Sequence, residues 1–248
     1  NETHHHTQFG ADEMDVNYIA FKYNNDSRYA KSVAYIYSCL YEYINDVPKY
    51  RNLFHLYEDY VDSIHTDTNN ISPYEEIICD GSDEFISSIN SNKFLSFTGD
   101  AYDISQIKTS NPLINTREVN DGIEAVIENV NHLYICGNGL SVTTRSQYAT
   151  VLTFTNCKNI TIDNLILGHS DGVSSCEGAV LEFNNCSNVL IRNLELYGSG
   201  THGVIAKSSS IGIYDCSIHN CSHGALSIDN SSCNIANLKI FDCINTFD

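Results

Sequence analysis

Two stretches of the chain have nearly the same sequence: "VLTFTNCKNITIDNLILG" at residues 151–168 and "AVLEFNNCSNVLIRNLELYG" at residues 179–198. Each contains an Asn-Cys-x-Asn segment followed by an Ile/Val-x-Ile-x-Asn-Leu segment. Alternating apolar and polar residues predict short β-strands, and the Asn residues between them predict turns. The sequence therefore predicts a repeated β-strand unit.

The repeat continues toward the end of the sequence, and a weaker copy lies at residues 125–139. A period in the low twenties is too short for paired-helix repeats. Such a unit buries its apolar face only by stacking on copies of itself, which predicts an all-β fold, a parallel β-helix (solenoid). The columns expected to point inward are Ile162, Ile191, Ile213 and Ile235, and Leu165, Leu194, Cys216 and Leu238.

A polar column runs between the two apolar columns. Asn tolerates the left-handed backbone of a sharp corner, and stacked Asn side chains can hydrogen-bond from coil to coil. We therefore expect a ladder of side-chain hydrogen bonds at one corner of the solenoid. Its members are Asn164, Asn193, Asp215 and Asn237.

The start of the solenoid needs a cover, because an open end exposes apolar core and unpaired strand edges. "SPYEEIICD", residues 72–80, offers Ser72 as an N-cap, Pro73 at the first helical position and Glu75 to complete a capping box. These features predict a capping helix at about residues 72–80.

The first part of the chain has a different pattern. Apolar residues recur every three or four positions in two stretches on either side of Pro48, which predicts two amphipathic helices. The predicted organisation is a helical N-terminal segment at residues 1–70 followed by a β-helix domain at residues 71–248.

Charge and composition restrict the partners. The net charge is −18, with only 13 Lys and Arg residues, so the phosphate backbone of a nucleic acid is a poor partner. No apolar run approaches the roughly 20 residues that a membrane-spanning helix needs, so membrane insertion is not expected. Cations and neutral glycans remain reasonable partners. The Asn-x-Ser/Thr sequons favour a secreted or cell-surface protein.

The segments "YATVLTFTNCKNITIDNLILGH" and "GAVLEFNNCSNVLIRNLELYGSGTHG" make residues 72–243 resemble the right-handed parallel β-helix repeat-containing proteins of the pectate-lyase-like superfamily. The resemblance implies a right-handed coil and a polysaccharide ligand. The pectin-cleaving hydrolases of that superfamily carry Asn-Thr-Asp, Asp-Asp and Gly-His-Gly motifs. Of these motifs, only a partial match to Gly-His-Gly occurs here, in "GTHGV" at residues 200–204. Lyase chemistry needs a basic residue and calcium-binding carboxylates, and this acidic chain would repel a polyanion.

Histidines and carboxylates near the turns are the best candidates for a catalytic or metal site. The loop that lengthens one coil from 22 to 29 residues contributes three of them, and the corner sequences "THGV" and "SHGA" contribute two. If those corners stack, an acid–base pair or a site for a divalent metal is possible. The alternative is that a His before Gly is only a polar corner residue. The candidates are His169, Asp171, Glu177, His202 and His223.

Two further residues are candidate substrate contacts. Tyr197 could stack on the face of a sugar. Arg192 lies mid-strand and points outward beside Glu195, which favours an ordinary surface ion pair.

The leading functional interpretation is recognition or processing of a neutral or weakly charged polysaccharide. An enzyme of this kind would be a lyase, a hydrolase or an epimerase. The alternative is a structural or adhesive solenoid that associates end to end, because no C-terminal cap is evident.

Cysteines recur at the same corner of successive coils, as Cys157 and Cys186 do and as Cys221 and Cys243 do. Coil spacing would accept disulfides. Small buried thiols also fill such corners well, so we expect free thiols for most of them and an unpaired core position for Cys216.

Overall fold

Most of the described residues form short strands that stack in parallel from one coil to the next. The structure, a computed structural model, describes residues 74–170 and 177–247. The helical segment predicted at residues 1–70 lies outside these ranges. The helix α1 is Ser82–Ser88. The strands are β1 Glu75–Cys79, β2 Lys93–Phe97, β3 Tyr102–Asp103, β4 Ile114–Val119, β5 Gly122–Glu128, β6 Asn131–Cys136, β7 Ser141–Thr144, β8 Leu152–Thr155, β9 Lys158–His169, β10 Leu181–Asn184, β11 Ser187–Tyr197, β12 His202–Lys207, β13 Ser210–Tyr214, β14 Ser217–His219, β15 Gly224–Asp229, β16 Ser232–Ala236, β17 Lys239–Phe241 and β18 Asn245–Phe247.

The described strands form two sheets along the solenoid. One has 11 strands, with the path β1-β2-β6-β9-β11-β13-β16 and the short strands β3, β7, β14 and β17 beside it. The other has 7 strands in the order β18-β15-β12-β10-β8-β5-β4. The pairing is parallel except between β4 and β5 at the edge of the smaller sheet. This confirms the predicted parallel β-solenoid.

The apolar columns of the repeat are the core of the solenoid. Ile162 pairs with Ile191, and Ile191 with Ile213, in the register that the repeat predicts. Phe154 and Phe183 stack inside at 5.3 Å. All the predicted inward positions up to Cys216 are buried, whereas Ile235 is 40% exposed, since no further coil covers it within the described residues.

Left-handed backbone marks the corners, as the polar column predicted. Asn164, Asn193, Asp215 and Asn237 have φ between 52° and 53°. Asn237 donates a hydrogen bond to Asp215 at 2.6 Å. Asn193 instead donates to Asp163 at 2.9 Å, so the predicted ladder is interrupted at this coil.

Asn–Asn hydrogen bonds between coils occur at two other positions of left-handed backbone. Asn185 donates to Asn156, and Asn188 donates to Asn159, each at 2.7 Å. All four residues have positive φ. These bonds run along the solenoid axis and add side-chain links to the backbone ladders.

The capping helix predicted at about residues 72–80 is wrong. Glu75–Cys79 is the strand β1, which pairs in parallel with β2 and places Ile77 beside Leu95. Pairing with a sheet edge outweighs a local capping signal in so short a segment. The helix α1 begins after Gly81 instead, and the Glu84 carboxylate accepts a hydrogen bond from the Asp80 backbone N–H.

The described cysteines are all free thiols, as predicted for most of the set. Cys216 is 2% exposed and lies in the core. Burial raises the pKa of its thiol to about 11, so it stays protonated and unreactive at neutral pH.

Across the described parts of the chain, no helix is long and apolar enough to cross a bilayer.

Candidate functional site

His202 and His223 lie together at one corner of the solenoid, which we call the histidine corner. Their ring centres are 6.0 Å apart and the rings are inclined at 40°. His223 is exposed and His202 is half-buried. The structure therefore brings the two imidazoles within reach of one ligand, as the sequence analysis required of a working pair.

The register that produces this corner differs from the one suggested by "THGV" and "SHGA". His202 pairs with Gly224 rather than with His223. The His202 ring lies over Gly224, where an added Cβ would meet its Cδ2 atom at 3.1 Å. The absence of a side chain at Gly224 thus lets His202 lean toward the next coil and approach His223.

His169 has a different environment from the two corner histidines. Its side chain is 2% exposed, and its Nε2 donates to the Ala149 carbonyl at 2.9 Å. Burial lowers the pKa of its imidazole, an effect that the Ala149 carbonyl only partly offsets. His169 is therefore a buried histidine that is neutral at pH 7 and bonded to the Ala149 carbonyl.

Two other candidates come from the same part of the sequence. Asp171 lies outside the described residues. Glu177 is exposed and immediately precedes the buried Gly178. Among the described members of the predicted set, His202 and His223 are the pair whose rings lie close together.

Arg192 belongs to a network that the sequence analysis missed. Its Nε donates to Asp163 at 3.0 Å, and its guanidinium also donates to the Tyr134 hydroxyl at 2.7 Å. That hydroxyl in turn donates to Asp163 at 2.6 Å. We call Tyr134, Asp163 and Arg192 the charged network.

The expected surface pair of Arg192 with Glu195 is wrong. The left-handed corner at Asn193 bends the strand between them, so they belong to different facets of the sheet. Asp163 is the register partner of Arg192 on the neighbouring coil. Burial disfavours the charged form of the guanidinium and by itself lowers the pKa of Arg192. The interactions with Tyr134 and Asp163 outweigh this effect, so the pKa is raised.

A row of outward-facing rings lies beyond that corner on successive coils. Tyr197 and His219 stack at 5.8 Å with an interplanar angle of 13°. His219 and Phe241 stack at 4.5 Å and 10°. The Tyr197 ring covers Gly168 of the preceding coil, where an added Cβ would lie 2.6 Å from it. We call Tyr197, His219 and Phe241 the ring row.

The polar atoms beside the ring row face outward. The His219 Nε2 lies 3.2 Å from the Glu195 carboxylate, whose side chain is 46% exposed. Burial, and next the Glu195 carboxylate, raise the pKa of Tyr197, so its hydroxyl stays protonated at neutral pH. The ring faces pack against one another, and the Glu195 carboxylate beside them is exposed. Both ring nitrogens of His219 are bonded, to Asn220 and to Glu195. His219 occupies one face of the Tyr197 ring, and stacking of Tyr197 on a sugar stays a prediction.

No group of three His, Cys, Asp or Glu side chains in residues 74–170 and 177–247 is arranged to hold a metal ion. A divalent metal at the histidine corner would accordingly have two protein ligands, with water in the remaining positions.

Comparisons with known proteins give little further information. No family model matches the chain, and no curated protein matches it. One matching solved structure is the crystal structure of a "putative glycosyl hydrolase" from Parabacteroides merdae, with 10% identity and a TM-score of 0.39. The match covers 69% of this chain and 79% of that one. At this TM-score the likeness carries no argument.

Proposed function

We propose that this solenoid binds a neutral or weakly charged polysaccharide lengthwise, along the ring row on its side. The observation that carries the proposal is the stacking of Tyr197, His219 and Phe241 in register on three successive coils. Right-handed coiling and secretion or surface display belong to the same proposal.

The geometry of the row suits a polymer. Neighbouring strands are about 4.8 Å apart, so the solenoid repeats the same kind of contact at a spacing close to the length of one sugar ring. A ligand with a repeating unit can engage each coil in the same way. Ring edges with flanking polar atoms offer apolar contact to sugar C–H groups and hydrogen bonds to hydroxyls.

Charge argues for a neutral ligand. The chain carries a net charge of −18, and Glu195 adds a carboxylate beside the row. A polyanionic chain would be repelled. The nearby cation Arg192 is already neutralised by Asp163, so it does not offset this repulsion.

The proposal is tested by measuring binding of the full chain to soluble β-glucan, xylan, galactomannan and polygalacturonate. We expect binding to at least one neutral polymer and none to polygalacturonate. Tyr197→Ala and His219→Ala should each weaken that binding at least tenfold. Phe94→Ala is the matched control, because Phe94 is a half-buried ring in another outward row of the same sheet.

Equal binding by the ring-row variants and the control would contradict the proposal, as would a preference for polygalacturonate. Cleavage is the second candidate function, favoured by the 6.0 Å approach of His202 and His223. An assay for newly formed reducing ends, run on each polymer that binds, distinguishes processing from binding alone.

A further inference from the structure

We propose that the histidine corner is a binding site for a late first-row divalent metal ion, of the class of Zn²⁺, Ni²⁺ or Cu²⁺. This proposal does not depend on the proposed polysaccharide binding. The protein ligands of the metal are His202 and His223, and water completes the coordination.

The separation of the rings supports the site. A metal held about 2.1 Å from one nitrogen of each of two imidazoles places the ring centres about 5–6 Å apart. The observed separation is 6.0 Å, at the upper end of that range. The Nδ1 atom of His202 is buried, which assigns the metal to its Nε2 atom.

The backbone around the corner fixes the approach of the two rings. The His223 backbone N–H donates to the Thr201 carbonyl at 2.9 Å, next to His202 in the chain. The Asn245 backbone N–H donates to the His223 carbonyl at 2.9 Å. Both histidines are thus held on adjacent coils by main-chain bonds, and little ordering is needed when a metal binds.

The ligand chemistry selects the class of ion. Imidazole favours Cu²⁺, Ni²⁺ and Zn²⁺, whereas Mg²⁺ and Ca²⁺ prefer oxygen ligands. The net charge of −18 raises the concentration of cations near the surface. Two protein ligands make the ion exchangeable rather than structural, because open positions are left to water.

The test is calorimetric titration of the full chain with Cu²⁺, Zn²⁺ and Mg²⁺. His4, His5 and His6 form a competing tract, so they are first replaced together by alanine. In that background we expect one equivalent of Cu²⁺ to bind more tightly than Zn²⁺, and no binding of Mg²⁺.

Each single variant, His202→Ala or His223→Ala, should weaken Cu²⁺ binding at least tenfold. His132→Asn is the control for loss of a histidine elsewhere. His223 is exposed, so its replacement leaves the fold intact even where His202→Ala lowers the yield. Electron paramagnetic resonance of bound Cu²⁺ should show two coordinated imidazoles, and one in each variant.

Gly224→Ala supplies a variant that retains both ligands. Its Cβ would lie 3.1 Å from His202, so the ring must shift and Cu²⁺ affinity should fall several-fold. Unchanged affinity in His223→Ala, or loss of all uptake on removal of the His4–His6 tract alone, would overturn the proposal.

Discussion

The charged network and the ring row lie on neighbouring facets of the same sheet, yet their polar atoms have different partners. In the charged network, Arg192, Asp163 and the Tyr134 hydroxyl bond to one another. In the ring row, the Glu195 carboxylate is 46% exposed, and the rings stack face to face from coil to coil. An external ligand would have to break bonds at the first cluster. At the second, both His219 ring nitrogens are bonded, to Asn220 and Glu195, but the exposed Glu195 carboxylate can still accept hydrogen bonds from a ligand. Surface position alone therefore does not identify a binding site.

The largest effect on stability should come from Asp163→Leu in the charged network. Arg192 would lose its counter-charge and the Tyr134 hydroxyl its acceptor, which should lower the free energy of unfolding by about 3 kcal/mol. Urea unfolding monitored by circular dichroism measures the change.

The double variant Asp163→Leu with Arg192→Leu is the control, because it removes both charges and should recover part of the loss. Polysaccharide affinity should remain near that of the wild type. A loss of affinity as large as that of Tyr197→Ala would contradict the division between the two clusters.

An intermediate effect should come from His169, which directly follows Gly168 under the ring row. Its pKa is lowered in the folded protein, so the unfolded chain takes up a proton first as pH falls. The contribution of His169 to the free energy of unfolding is therefore fully present above about pH 6.5. It declines below that pH by up to about 1.4 kcal/mol per pH unit.

His169→Gln retains a donor for the Ala149 carbonyl and removes the titrating group. Urea midpoints at pH 7.5 and pH 5.5 should differ less for this variant than for the wild type. Identical differences for the two proteins would mean that His169 does not supply the pH dependence.

The smallest effects should come from a matched pair of Tyr→Phe variants. Tyr197→Phe removes one outward hydroxyl, so polysaccharide affinity should fall two- to fivefold, the equivalent of about 0.5–1 kcal/mol, with stability unchanged. Tyr134→Phe should do the reverse, lowering stability and leaving affinity unchanged, because its hydroxyl is bonded within the protein. Calorimetric titration and urea unfolding of both variants check the pair. Loss of stability in Tyr197→Phe, or loss of affinity in Tyr134→Phe, would contradict the distinction between the ring row and the charged network.

The repeat pattern was enough to predict the solenoid, because each aligned Ile contributes the same apolar contact to the next coil. Ile162, Ile191 and Ile213 indeed pair in that register. The prediction of a capping helix was wrong for a physical reason. Glu75–Cys79 becomes a strand because it pairs with β2, and residues 72–80 alone carry no information about that partner.

The candidate site was harder to predict. The ring row could have been found from the alignment, since Tyr197, His219 and Phe241 each follow an aligned core residue, Leu196, Ile218 or Ile240. Asp163 and Arg192 likewise share a column one coil apart. The reach of the Tyr134 hydroxyl to Asp163 could not have been predicted, because it crosses diagonally between columns and depends on side-chain rotamers.

The repeat of 22 residues between the last coils also has an evolutionary consequence. Each coil contacts only its neighbours, so duplicating one coil within the stack preserves every type of core contact. Such a duplication would add one ring to the row at the same spacing. The length of polymer that the side of the molecule can engage could thus change through gene-level duplication of a single short segment, without redesign of the interior.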